Sequence, residues 1–110
     1  MSFKEEFKNS IGELKKIDSN DNYKHEELWK NELDIVTKNI NETIEYLQAE
    51  CTEDEFSWLS EIFVKIVEKC PSKEFIDVLY KLAEKYPEET KKYNIMSFIE
   101  EAAKYLESKE

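Results

Sequence analysis

The chain has 110 residues, 40% of them apolar and 38% charged, with a net charge of −10. That length suits one domain with a real hydrophobic core, and the six phenylalanines exclude a disordered chain despite the charge. All sixteen basic residues are lysine, and the acidic excess would be repelled by a phosphate backbone, which binders neutralise with clustered lysine and arginine; no nucleic-acid partner is expected.

One glycine and two prolines are too few for the tight turns of a sandwich or barrel. The expected fold is therefore all-α: a single domain over residues 1–110, built as a compact bundle of five to seven helices. No stretch approaches the ~18 uninterrupted apolar residues of a membrane span. The opening "MSFKEEFKNS" lacks the apolar centre of a signal peptide. Both features point to the cytoplasm, with no membrane partner.

In chain order, Phe3, Phe7, Ile11 and Leu14 recur at helical spacing, with Ile17 following and Ser2 as a cap. Gly12 weakens this helix, and the capping-box spacing of Ser10 and Glu13 allows a break near residue 10. "DSNDN" at 18–22 reads as a loop. A second helix is predicted over 23–38, with Trp29, Leu33 and Val36 on one stripe. Asn39 and Asn41 mark a boundary or bend, and a third helix carries Ile40 or Ile44 through Leu47 to Ala49.

Thr52 and Glu55 then form the pattern Thr-x-x-Glu, a capping box. Glu53, Asp54 and Glu55 fall in the first turn, where carboxylates meet the positive end of the helix dipole. One helix is predicted from there to Lys69, with Phe56, Leu59, Phe63, Ile66, Val67 and Cys70 on a wide apolar face. It is expected to be the most buried helix. The next repeats its plan: Ser72 caps it, and Phe75, Leu79, Leu82 and Tyr86 form the stripe. The echo of "EKCP" in "EKYP" points to possible α-solenoid, HEAT-like helix pairs. Pro87 opens a short turn of helix. A last helix carries Ile95, Phe98, Ile99, Ala102, Ala103 and Leu106.

The chemistry is mostly exclusion. The one histidine, His25, sits in a charged helix start and reads as solvated. Zinc draws on clustered cysteine and histidine, and calcium loops turn on glycine. Cys51 and Cys70 supply neither pattern, and "ECTEDE" enters a helix directly, so no metal is expected. With about nineteen residues of helix between them, the cysteines would stand roughly 30 Å apart, too far for a disulfide. Cys70 continues the apolar stripe and Cys51 is expected to be partly exposed. No phosphate-cradling glycine loop or nucleophile elbow occurs; neither catalysis nor a cofactor is expected.

What remains is a surface. Between Lys38 and Lys65 no basic residue occurs, while Glu42, Glu45, Glu50, Glu53, Asp54, Glu55 and Glu61 all do. Trp58 projects away from the Phe56–Phe63 stripe, on the side of Asp54 and Glu61. An aromatic ringed by carboxylates is the composition of an interface anchor for a basic partner. The candidate partner-binding residues are therefore Glu50, Glu53, Asp54, Trp58 and Glu61. The opposing reading is that another helix covers Trp58. A second candidate face lies around Glu88, Glu89 and Tyr93.

The stretch "CTEDEFSWLSEIFVKIVEKCPSKEFIDVLYKLAEKYPEETKKYNIMSFIEEA", and within it "EFSWLSEIF", "SKEFI" and "KYPEE" followed by "YNI", resembles the helical immunity proteins of bacterial contact-dependent growth inhibition and related polymorphic toxin systems. The resemblance spans roughly residues 40–106. It implies a small acidic protein that binds a cognate toxin domain, frequently a nuclease, and occludes its active site or substrate surface. The alternative is a non-catalytic helical adaptor or scaffold for a cellular protein.

Overall fold

Helix signals along the chain become helices nearly in place. The computed structural model describes residues 3–16 and 22–109, and within these all side chains but those of 22–25 and 109. The elements are α1 (Phe3–Lys16), α2 (Asn22–Lys38), α3 (Ile40–Ala49), α4 (Glu53–Leu59), α5 (Phe63–Lys69), α6 (Lys73–Lys85), α7 (Pro87–Lys92) and α8 (Ile95–Lys109). A 3-10 turn, Ser60–Ile62, joins α4 to α5. The described residues contain no strand, and the fold is an all-α bundle. Counting Glu53–Lys69 as one bent run, the described residues form seven helical rods. The Ser2 cap, Ile17 and all but the last residue of the expected 18–22 loop lie outside the described residues, as does the side chain of His25.

Side-chain caps start several helices where the sequence placed them. Asn39 accepts from the Glu42 amide at 3.3 Å, and Ser72 from the Phe75 amide at 3.2 Å. Pro87 occupies the first turn of α7, where its missing N–H costs nothing. Asn94 joins α7 to α8 with φ 53°, in the left-handed region that asparagine tolerates better than most residues.

Two expectations about helix continuity are corrected. α1 runs unbroken through Ser10 and Gly12, because Ser10 turns inward and is buried rather than capping a new helix. The predicted single helix over 53–69 is instead interrupted at 60–62. There Ser57 Oγ donates to the Asp54 carbonyl at 2.8 Å and Ser60 Oγ to the Ser57 carbonyl at 2.6 Å. Such back-bonding competes with the helix ladder and favours a tighter turn.

The bend keeps both halves facing inward: Phe56, Leu59, Ile62, Phe63, Ile66 and Val67 all lie in the core. α8 lies against the 3-10 turn, α5, α6 and α7, and buries Ile95, Ile99 and Ala102 completely. α5 and α6, which share the sequence echo, each pack chiefly on α8. α1 and α2 form a second layer, α1 burying Phe7, Ile11 and Leu14. Phe7, Phe56, Phe63 and Phe75 are the largest fully buried side chains. The radius of gyration, 13.3 Å, is close to the ~13 Å of a packed body of this length.

Candidate partner-binding site

The site begins with the capping box. The Thr52 hydroxyl accepts from the Glu55 amide at 3.1 Å, and the Glu55 carboxylate accepts from the Thr52 amide at 3.1 Å. Glu55 also accepts from the Tyr46 hydroxyl at 2.7 Å and from Lys8 Nζ at 3.1 Å. Tyr86 ties the preceding residue down by donating its hydroxyl to the Cys51 carbonyl at 2.7 Å. Burial, together with the Glu55 carboxylate, holds the Tyr46 hydroxyl well above its ordinary pKa. These bonds fix the rotational phase of α4.

With Glu55, Phe56 and Leu59 facing inward, helical spacing brings Asp54, Ser57, Trp58 and Glu61 to a neighbouring face. They line an open groove of about 360 Å³, completed by Trp29 from α2 and by Tyr93, just beyond α7. The indoles of Trp29 and Trp58 lie 6.2 Å apart between ring centroids, tilted by 34°. Trp58 is half-buried. Both readings of this residue are thus partly realised: α2 covers one side of it and the groove keeps another open. Tyr93 is 48% exposed, with Lys92 Nζ 5.2 Å from its ring centroid.

Three of the five candidate residues, Asp54, Trp58 and Glu61, therefore converge on one groove. Glu50 and Glu53 do not line it. Glu50 pairs with Lys4 at 2.6 Å, and Glu53 stands exposed in the first turn of α4. The lysine-free window of the sequence is not lysine-free in space. Lys4, Lys8 and Lys15 of α1 pair with Glu50, Glu55 and Asp54. Glu61 has no cation within ion-pair distance among the described residues.

Helical spacing places Trp29 on the core stripe and Tyr93 on a separate face; the structure brings both to the groove. No local pattern could have joined them to Trp58, because the three come from separate parts of the chain: α2, α4 and the turn after α7. The cysteines exchange their expected places. Cys51 is buried and Cys70 half-buried, and both are free thiols. Burial, with a smaller push from Glu55, raises the Cys51 thiol to about 12, so it is protonated and inert near neutrality. Among the described residues no three His, Cys, Asp or Glu side chains gather as a metal site would require, and no helix is long and apolar enough to cross a membrane.

Comparison with known proteins adds no assignment: no family model, no curated protein and no solved structure matches the chain.

Proposed function

We propose that the protein is a non-catalytic immunity protein of the bacterial cytoplasm that neutralises a cognate basic toxin domain by docking it on the Trp29–Trp58–Tyr93 groove. The observation that carries this reading is the groove itself: aromatic side chains from α2, α4 and the turn after α7, rimmed by Asp54 and Glu61. Half-buried tryptophans are strong interface anchors, because they bury a large area for little lost side-chain freedom. The net charge of −10 steers a basic partner toward the protein, and the carboxylates at the rim orient it on arrival. The toxin's catalytic or substrate-binding surface is then covered. Glu53 lies at the edge of this face, and Glu50 acts there only after release from Lys4.

The test is co-expression with the product of the adjoining reading frame, read by growth protection and by capture of that product. Trp58→Ala is expected to weaken capture by about 2 kcal/mol or more. A variant carrying Asp54→Lys and Glu61→Lys, with normal melting, is expected to lose protection and to bind with a flattened salt dependence. Unchanged protection, affinity and salt dependence in that variant would place the interface elsewhere. A product that binds but is harmless to the cell assigns the adaptor role instead.

A further inference from the structure

We propose that the groove receives an arginine side chain of the partner, with its guanidinium laid on the Trp29–Trp58 wall and forked to the Glu61 carboxylate. This inference rests on the groove being the docking face. The two indoles touch one another at 6.2 Å and 34°. That separation leaves no room for a cation between the rings, so the two indoles bound the groove together rather than as the two walls of a slot. A slot closes around a spherical quaternary ammonium. A surface is best covered by a planar, delocalised, weakly hydrated cation, which is the description of a guanidinium.

The other polar groups of the groove narrow the choice further. Asp54 is engaged by Lys15, and the ring of Tyr93 already carries the Lys92 ammonium. Among the described residues the uncompensated acceptor of the groove is Glu61. Lys30 and Lys65 border the adjoining groove together with Glu61 and Trp29, yet neither comes within ion-pair distance of that carboxylate. A carboxylate beside an aromatic wall offers two parallel acceptors, and arginine supplies two parallel donors while its plane stacks. The chain cannot provide this group itself, since all sixteen of its basic residues are lysine. The arginine must come from another molecule.

The experiment uses the full chain and two small probes, N-acetyl-arginine N-methylamide and its lysine counterpart, with tetramethylammonium as a third. The chain has only two tryptophans, so the indole N–H signals in a nitrogen–proton correlation spectrum report the site directly, with Trp29→Phe assigning them. The arginine probe is expected to shift both signals saturably and to bind at least about threefold tighter than the lysine probe, with the preference abolished by Glu61→Gln. Equal or tighter binding of the lysine probe overturns the proposal, as does tighter binding of tetramethylammonium or the absence of any indole shift. Docking on the groove is judged separately, by the loss of partner capture in Trp58→Ala. Failure of the arginine probe with capture still dependent on Trp58 removes the arginine and leaves the docking face standing.

Discussion

Among the described residues two glutamates are buried, and their surroundings are opposite. Glu55, at the junction of α3 and α4, is 5% exposed and accepts from Thr52, Tyr46 and Lys8. Glu32, on α2, is fully buried, and among the described residues neither of its oxygens has a hydrogen-bond partner. Ser10 Oγ of α1 is buried without a partner as well. It lies near enough to Glu32 to favour the charged form slightly, though not in hydrogen-bond geometry. Burial itself dominates and pushes the Glu32 carboxyl up to about 7, with the Glu55 charge adding to the shift. An inward carboxylate therefore means little alone. At the α3–α4 junction it organises the helix that carries Trp58. In the α1–α2 layer it is a weakness.

Breaking the junction should cost the most stability. Glu55→Ala would strand the Tyr46 hydroxyl and the Thr52 amide, and would leave Lys8 facing an empty acceptor site. A loss of about 3–4 kcal/mol is expected in urea unfolding. The Lys8 share of that loss is small, because its ammonium is half-exposed and screened by water. A loss below about 1 kcal/mol would erase the contrast with Glu32, since that is no more than one ordinary hydrogen bond contributes.

Glu32 gives the comparison its second test, and the sign is opposite. Its carboxyl is held near 7 in the folded chain against an ordinary 4.5. Between those values the native state holds a proton that the unfolded state has released, so stability falls as pH rises. The contribution is fully present below about pH 4.5 and lost by about pH 7.5, a difference on the order of 3 kcal/mol. Relief of general acidic repulsion acts in the same direction, so the measurement compares the wild-type pH profile with that of Glu32→Gln. The difference between the two profiles should slope downward across this window. Glu32→Met should stabilise the protein at pH 7.5 by about 1–3 kcal/mol, because it replaces an unpaired buried charge with a flexible apolar side chain. A flat difference profile would mean that Glu32 is paired in solution.

The two glutamates also mark how far the sequence could be read. Thr52 and Glu55 stand three residues apart, so their capping box is a local pattern and was legible. So were Ser72 at the start of α6, Pro87 in α7 and the apolar stripe around Phe63. Nothing near Glu32 announced its burial; it reads as one more charge on an acidic helix, and only the packing of α1 across α2 turns it inward. The groove divides in the same way. Helical spacing alone put Asp54, Trp58 and Glu61 together. The arrival of Trp29 and Tyr93 depends on tertiary packing, as does the pairing of Lys4 and Lys15 with Glu50 and Asp54. The bend at 60–62 is not legible in the sequence, because the apolar period continues through it and the serine hydroxyls that tighten the turn leave no mark on that period.

In the α1–α2 layer, a mild stabilising change tests whether α1 unfolds with the rest of the chain. Gly12 lies inside α1, and a Cβ added there meets nothing within 4 Å. Its backbone has no positive φ, so alanine is free to adopt it. Gly12→Ala removes conformational freedom from the unfolded chain and is expected to stabilise by about 0.5–1 kcal/mol. A gain of that size in the global urea transition means that α1 is docked until the whole domain opens, as its buried Phe7, Ile11 and Leu14 require. No gain in the global transition, with slower amide exchange confined to residues 3–16, would mean that α1 opens first. The Glu32 seam would then be a boundary between two unfolding units, and α1, which holds Lys15 against Asp54 at the rim of the groove, would be the part of the molecule that a basic partner could displace.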